Sequence, residues 1–293
     1  MSVVAKNDRM MHLLRRATRR FPAITVVLLT AILVLVAFLH RGIEVTELDV
    51  DDGGIWVAKG ADLSLGHLNY DALTFDGFVS TPSAQVALGQ DGRTVTIGDE
   101  TTHSVASVDV AAMKLGGAST VPEGSRVVQG ASTIAVLDSL AGYLWVGEAN
   151  RPDAIKYEDT SAIADGLADG IVTVSTGGTV FAYAPQYATL TTVTRAGSTW
   201  STTKATLSGM SVGDDLSITA VGDKPVIYDA TTNTLVLPGG RTRALDADGV
   251  APGAVLQMPG PASSSVLLAT PDSLVSVPLN GSAPTVTPAQ EGT

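Results

Sequence analysis

The side chains best suited to acid–base or metal chemistry in residues 42–293 are two histidines, His67 and His103. An imidazole changes charge near neutral pH and is a common metal ligand, so two histidines could serve a catalytic or a metal site. His67 stands within an alternating apolar pattern and His103 follows a predicted turn, which favours a packed histidine and a surface histidine instead. The chain has no cysteine, which excludes a thiolate nucleophile. We predict no catalytic residue and no cofactor.

Aspartates that could bind calcium or shape turns recur along the chain. Asp49, Asp51 and Asp52 precede Gly53, which resembles part of a calcium loop, but glycine stands where that loop needs an acid or an amide. The pattern at Asp246–Asp248 is shorter still, so we predict no metal site. The remaining aspartates of interest stand at predicted strand turns, where each carboxylate is expected to accept hydrogen bonds from its own backbone: Asp99, Asp138 and Asp229.

Tryptophan is the residue type best able to bind a ligand by stacking its indole ring against it. Trp56 and Trp145 lie in alternating strand patterns, so we predict that both are core residues. Trp200 lies between Thr199 and Ser201 in a polar stretch, where an exposed indole could stack on a sugar ring. Trp200 is the one ligand-binding residue that the sequence predicts.

An uncharged run of nineteen residues, Phe21–Leu39, dominates the N-terminal part of the chain. As a helix it would be about 28 Å long, close to the hydrocarbon core of a bilayer at about 30 Å. Residues 1–20 carry six basic residues and one acid, which predicts a cytoplasmic tail and an extracellular remainder. We predict a single-pass cell-membrane protein with an uncleaved signal anchor. The alternative is a cleaved signal peptide. The length of the apolar run disfavours it, because signal peptides have an apolar core of about 7–15 residues.

The charge of the chain is divided unevenly. The whole chain has a net charge of −11, whereas residues 42–293 contain 28 acidic and 11 basic residues and have a net charge of −17. So acidic a region disfavours nucleic acid and anionic lipid as partners, because both need neutralising lysine and arginine side chains. Since the chain has no disulfides, its fold must be held by an apolar core.

A unit of short apolar strands and Gly or Asp turns recurs six times after the apolar run. The turns near residues 60, 99, 138, 184, 229 and 270 are spaced by 39, 39, 46, 45 and 41 residues. Such a period, with three or four strands per unit, is typical of propeller blades. We predict an all-β fold with a six-bladed β-propeller over residues 42–280 and a Pro/Thr linker over residues 281–293. Seven blades and a pair of β-sandwiches are the alternatives.

Three sequence elements carry a resemblance to a known group of proteins: Asp52–Val57 (DGGIWV), Leu65–Tyr70 (LGHLNY) and Ala135–Val146 (AVLDSLAGYLWV). In them the chain resembles the N-terminal portion of actinobacterial membrane-anchored cell-surface proteins. In that family a basic N-terminus, one membrane span and a propeller-like region precede Ig-like or fibronectin type III repeats. The resemblance implies the same fold and a surface location. Ala141–Trp145 also resembles the A-G-x-L-W element of quinoprotein-type propeller repeats, which does not by itself indicate a quinone.

The sequence favours a non-enzymatic binding or scaffolding module of the cell envelope, with an envelope polysaccharide or protein as its partner. Two alternatives stay open. One is a propeller-type lyase, hydrolase or quinone-dependent enzyme, which would need polar residues from several blades to meet at the funnel of the ring. The other is a structural spacer for downstream Ig-like or fibronectin repeats, which would need no ligand-binding surface.

Overall fold

The computed structural model describes residues 54–207 and 215–289, which form 22 β-strands in six antiparallel sheets. Within each sheet the strands lie side by side in sequence order, so each strand pairs with the next one along the chain. The predicted all-β class is confirmed. The other regular elements in these residues are 3₁₀ helices of three residues each: Gly60–Asp62, Pro152–Ala154, Asp159–Ser161, Pro185–Tyr187 and Asp246–Asp248.

The first three sheets contain three, four and three strands. Sheet 1 consists of β1 (Gly54–Lys59), β2 (Ser64–Asn69) and β3 (Thr74–Ser80); sheet 2 of β4 (Val86–Asp91), β5 (Thr94–Asp99), β6 (Ser104–Asp109) and β7 (Lys114–Thr120); and sheet 3 of β8 (Arg126–Gly130), β9 (Thr133–Asp138) and β10 (Tyr143–Glu148).

The last three sheets contain four strands each. Sheet 4 consists of β11 (Ile171–Val174), β12 (Val180–Ala184), β13 (Thr189–Ala196) and β14 (Thr199–Thr206); sheet 5 of β15 (Leu216–Val221), β16 (Lys224–Asp229), β17 (Thr234–Leu237) and β18 (Arg241–Ala244); and sheet 6 of β19 (Val255–Leu256), β20 (Ser265–Ala269), β21 (Ser273–Pro278) and β22 (Thr285–Pro288).

A glutamine on the first strand of sheet 2 and another on the first strand of sheet 3 show how the repeat is built. Gln90 of β4 accepts a hydrogen bond from the Trp56 backbone N–H (2.9 Å) and donates to the Gly54 carbonyl (2.8 Å) in β1. Gln129 of β8 likewise donates to the Thr94 carbonyl (2.8 Å) in β5. Thus β1 is contacted in the same way as β5, which is the second strand of sheet 2. The three strands of sheet 1 therefore correspond to the second, third and fourth strands of the four-stranded repeat.

A buried apolar cluster lies between each pair of consecutive sheets, so the core is divided into layers. Burying one such large side chain stabilises the fold by about 1.5–3 kcal/mol. The predicted core positions of Trp56 and Trp145 are confirmed, with exposures of 4% and 2%. Representative members in sheet order are Trp56 and Ile97, Val105 and Trp145, Leu137 and Val180, Tyr183 and Ile227, and Tyr228 and Val275.

The aspartates at the ends of β5, β9 and β16 hold the turns that follow them. In each turn one carboxylate oxygen accepts hydrogen bonds from the backbone N–H groups two and three residues later, at 2.9–3.1 Å. This confirms the role predicted for Asp99, Asp138 and Asp229. A short polar side chain bonded to its own turn lets the chain reverse without leaving backbone donors unpaired.

The last strand occupies part of the segment that the sequence predicts to be a linker. β22 pairs with β21 over four residues, so the linker prediction for residues 281–293 is wrong at Thr285–Pro288. The prolines at both ends of this stretch suggested a break in the strand pattern. Proline is tolerated at the end of an edge strand, however, because its missing N–H is not needed there.

The predicted cytoplasmic tail (residues 1–20) and membrane helix (Phe21–Leu39) lie outside the described residues, so both stay predictions. Within residues 54–207 and 215–289, no helix has the length and apolar character needed to cross a bilayer.

Candidate ligand-binding site

A cavity of about 350 Å³, which we call the cation cavity, lies between sheets 3 and 4. One wall comes from the end of β10 and the 3₁₀ helix Pro152–Ala154, and the other comes from the hairpin of β13 and β14. Gly147 lets the first wall close tightly, since a Cβ at this position would lie 2.6 Å from Ile155. The polar and aromatic lining residues are Trp145, Glu148, Arg151, Lys156, Ser161, Arg195, Ser198 and Trp200.

Arg195 is the best-positioned side chain of the cation cavity. It lies directly opposite Trp200 in the β13–β14 register, and its guanidinium carbon is 5.6 Å from the centre of the indole. Its Nη2 bonds to Glu148 Oε1 at 2.5 Å, and its Nε donates to the Gly197 carbonyl at 3.0 Å. An arginine held over an aromatic ring keeps a planar fork of donors that suits carboxylate and phosphate.

Positive charge is in excess in the cation cavity. Arg151, Lys156 and Arg195 line it together with the single acid Glu148. Arg195 and Glu148 have side-chain exposures of 40% and 38%, so their ion pair is accessible to solvent and weak. This concentration of cations stands out in a chain with a net charge of −11. Three cations against one carboxylate can attract and orient an anionic group.

The wall beneath the cations is buried and well packed. Trp145 is buried, and its indole Nε1 donates to the Glu158 carbonyl at 3.0 Å. Tyr157 packs edge-on against that indole at 5.6 Å, and burial raises the pKa of the Tyr157 hydroxyl. A well-packed wall of this kind loses little conformational entropy when a ligand binds.

Trp200 lines the cation cavity, although it is less exposed than the sequence suggested. Its side chain is half-buried and packs against the apolar cluster between sheets 3 and 4. Arg195 covers part of its ring. The indole therefore supports the arginine, and its predicted role in binding a sugar ring stays a prediction.

A second cavity of about 300 Å³, which we call the hydroxyl cavity, also contacts sheet 4. Its walls come from residues 165–167 and from β12, β13 and β14. Tyr187 is 63% exposed at its edge, and Lys204 Nζ lies 3.5 Å from Asp165 Oδ1. The polar side chains in this cavity are thus largely neutral or paired: Asp165, Tyr187, Thr189, Thr191 and Lys204.

The two histidines do not form a joint site. His67 of β2 is buried, with its Nδ1 2.5 Å from Asp76 Oδ1 and its ring 5.0 Å from the Trp56 ring. His103 lies in a different sheet, in a left-handed turn with φ of 46°. Neither histidine lines the cation cavity or the hydroxyl cavity. The hydrogen bond from His67 is the main cause that lowers the pKa of Asp76.

The acidic residues considered for calcium have other partners or lie outside the described residues. Asp246 accepts a hydrogen bond from Asn233 Nδ2 at 2.6 Å, and Asp248 accepts two from Arg243, at 2.9 and 2.7 Å. Asp49, Asp51 and Asp52 fall outside the described part of the chain. In residues 54–207 and 215–289, no group of three or more His, Cys, Asp or Glu side chains could hold a metal ion.

The sequence also contains a short motif that is associated with serine hydrolases. Residues 209–213 read Gly-Met-Ser-Val-Gly and match the Gly-x-Ser-x-Gly pattern of serine hydrolases, but they lie outside the described residues. In those enzymes the motif connects a strand to a helix. The structure therefore does not test whether the motif stands in that context here.

Sequence reasoning also missed Arg151, Lys156 and Arg195. The signal for Arg195 was present, because the stretch from Arg195 to Trp200 centres on Gly197 and Ser198, which is typical of a tight hairpin. Such a hairpin places Arg195 opposite Trp200. No comparable signal joins this hairpin to residues 148–156, because the two segments meet only through the packing of sheet 3 on sheet 4.

Comparison with known proteins identifies the fold. No protein-family model matches the chain, and no curated protein matches it. Virginiamycin B lyase from Staphylococcus aureus is similar in structure, with a TM-score of 0.55 and 12% identity over 83% of each chain. The β-propeller domain of Cps50 (Swd1) from Myceliophteria thermophila has a TM-score of 0.51 and 9% identity over 82% of this chain and 83% of that one.

A third similar structure is the dihydro-heme d1 dehydrogenase NirN, with a TM-score of 0.53 and 15% identity. The match covers 81% of this chain and 55% of NirN, so the chain spans little more than half of that protein. The similar structures thus include a lyase, a dehydrogenase and a propeller domain without a stated activity. At these identities the likeness establishes the fold alone: the chain is an all-β protein with a β-propeller fold.

Proposed function

We propose that this protein is a membrane-tethered, extracytoplasmic β-propeller that binds an acidic polysaccharide of the cell envelope without catalysing a reaction. The observation that carries the proposal is the cation cavity, where Arg151, Lys156 and Arg195 converge on one acid, Glu148. The apolar run and the basic tail of the sequence support the tether and its orientation. The resemblance to actinobacterial surface proteins supports the same location.

An acidic sugar polymer fits the cation cavity better than other anions. A carboxylate or phosphodiester group can accept two hydrogen bonds from the guanidinium of Arg195. Ser161 and Ser198 also line the cavity and can bond to sugar hydroxyls. Nucleic acid and anionic membranes present dense negative charge over a wide area, which the net charge of −17 in residues 42–293 would repel. Three cations around one cavity can bind one acidic group of a flexible polymer at a time.

The proposal is tested by calorimetric titration of the 293-residue chain in detergent with polygalacturonate, poly(glycerol phosphate) and dextran. Polygalacturonate carries carboxylates, poly(glycerol phosphate) carries phosphodiesters, and dextran is a neutral sugar polymer. Comparing the three shows whether binding needs a carboxylate, a phosphodiester or only a sugar. We expect saturable binding of at least one of the two acidic polymers and none of dextran. We expect Arg195→Gln to weaken that binding by about 2 kcal/mol, roughly thirtyfold in Kd.

Two further variants make the titration specific to the cation cavity. Glu148→Gln should tighten binding about two- to fivefold, because the carboxylate that competes for Arg195 is neutralised. Lys114→Gln, an exposed lysine on β7 that does not line the cavity, should leave Kd unchanged. Single-stranded DNA is titrated in the same way as a further control. The proposal fails if neither acidic polymer binds, if Arg195→Gln and Lys114→Gln behave alike, or if this DNA binds more tightly than either polymer.

A further inference from the structure

The cation cavity and the hydroxyl cavity lie on one face of sheet 4. Thr191 pairs with Lys204 and Arg195 pairs with Trp200 in the β13–β14 register, and directly opposed residues of antiparallel strands point to the same side. Thr191 and Arg195 are four residues apart on β13, so they also share a face. At about 3.4 Å per residue, the two cavities are separated by roughly 14 Å along the strand.

A single segment of the connection between sheets 3 and 4 borders both cavities. Ser161 lines the cation cavity and Asp165 lines the hydroxyl cavity. The short stretch between them is held to β10 by two backbone hydrogen bonds of 2.8 and 2.9 Å, which join Ile163 and Ala164 to Leu144. Ala164 belongs to the apolar cluster between sheets 3 and 4, and the half-buried Ile163 packs against it, so an apolar stretch separates Ser161 from Asp165 along the chain.

The hydroxyl cavity contains a buried polar atom that needs a partner. Thr191 is 1% exposed, and its Oγ1 has no hydrogen-bond partner among the residues that the structure describes. A buried hydroxyl without a partner costs about 1–3 kcal/mol, so a bound molecule that supplied the missing hydrogen bond in this cavity would be favoured. Thr191 lines the cavity beside Thr189 and the exposed ring of Tyr187, and this set suits the hydroxyl groups of a sugar.

We infer that the hydroxyl cavity is a second subsite for the same polymer, and that it binds a sugar unit several positions away from the unit that meets Arg195. This inference rests on the proposed function, because it takes the ligand to be an acidic polysaccharide. The cation cavity binds the charged group of one unit. The hydroxyl cavity binds the hydroxyls of a more distant unit through Thr191, and the polymer between the two units passes over the half-buried Ile163. Affinity therefore depends on polymer length.

The test is a titration of the 293-residue chain with size-fractionated oligogalacturonates, from the monomer upward, and with a matching ladder of glycerol phosphate oligomers. We expect affinity to rise sharply, by about tenfold or more, at the length that first spans both cavities. Thr191→Val replaces the hydroxyl with a methyl group of similar size, and it should weaken the binding of long oligomers about fivefold while leaving the binding of short ones unchanged. Tyr187→Ala, a change at an exposed position, should act in the same way.

A matched control is available for Thr191→Val. Thr219 of β15 is also fully buried, its Oγ1 also has no hydrogen-bond partner within the described residues, and it lines neither cavity. Thr219→Val should leave the affinity for every oligomer unchanged. Urea unfolding of both valine variants shows whether either change alters stability, and Tyr187→Ala gives an independent result if Thr191→Val is destabilised.

The possible outcomes separate this inference from the proposed function. A length step that Thr191→Val and Tyr187→Ala remove, with Arg195→Gln weakening all lengths, supports both. If Arg195→Gln weakens binding but no length step exists, or if the step survives both hydroxyl-cavity variants, the second subsite is refuted and the proposed function stands. If no oligomer of either ladder binds, the proposed function fails and this inference fails with it.

Discussion

The turn after β9 gives a quantitative test of how the repeat is held together. Asp138 is 8% exposed, and its Oδ1 accepts two backbone hydrogen bonds of 2.9 Å, from Leu140 and Ala141. The turn then closes through a bond of 2.8 Å from the Gly142 N–H to the Asp138 carbonyl, and Gly142 has a φ of +79°. Asp138→Ala removes both carboxylate bonds and leaves this backbone bond in place.

The expected cost follows from those two bonds. Each contributes about 1 kcal/mol net, because the Leu140 side chain is exposed and water can reach the released donors, so Asp138→Ala should lower the free energy of unfolding by about 2 kcal/mol. With a urea slope near 3 kcal/mol/M for a chain of this size, the midpoint should fall by roughly 0.7 M. Asp138→Asn keeps a neutral oxygen acceptor, so we expect about half of that loss.

The assay is urea unfolding followed by tryptophan fluorescence and by circular dichroism, with the same slope required for all variants. Because Asp99 and Asp229 hold equivalent turns, their alanine variants should lose similar amounts. The reasoning is refuted if Asp138→Ala changes stability by less than about 0.5 kcal/mol, or if the asparagine and alanine variants are equally destabilised.

Two further predictions concern pH. The hydrogen bond from His67 lowers the pKa of Asp76 below 3.8. The ionised Asp76 therefore contributes to stability above that pH, and this contribution is lost as the pH falls through the lowered value. Asp76→Asn should flatten the acid limb of a plot of unfolding free energy against pH, and an unchanged limb would contradict this. Burial raises the pKa of Tyr157 above 10.0, so its contribution is complete below that pH and falls at higher pH. Tyr157→Phe should therefore flatten the alkaline limb, at little cost near neutral pH because the hydroxyl has no hydrogen-bond partner within the described residues.

Much of the fold could be predicted from the sequence because its signals are local. The period of 39–46 residues and the aspartates that precede three of the turns depend on residues that are close together in the chain. Trp56 was correctly placed in the core, but its neighbours Ile55 and Val57 are 46% and 41% exposed. Strand alternation predicts that the two faces of β1 differ in burial. It does not tell which face meets the next sheet.

The site could be predicted only in part, because its residues are brought together by packing between sheets. Trp200 was selected for its polar neighbours, and the structure places it at the edge of a cavity. Arg195 could have been found from the hairpin, whereas Arg151 and Lys156 belong to a different repeat. Thr191 could not have been distinguished from the many other threonines, since what sets it apart is a buried hydroxyl that has no partner in the described structure and also lines a cavity.

The central claim is that an acidic polymer lies along one face of sheet 4, and hydroxyl-radical footprinting of the chain with and without the tightest-binding polymer tests it most directly. Trp200 and Tyr187 are reactive aromatic residues, one in each cavity. Tyr70, which follows β2 in sheet 1, and Met258, which follows β19 in sheet 6, serve as internal controls. Their exposures are 61% and 82%. We predict that the polymer protects Trp200 and Tyr187 and leaves Tyr70 and Met258 unchanged. Protection of the controls alone, or equal protection at all four residues, would contradict the account.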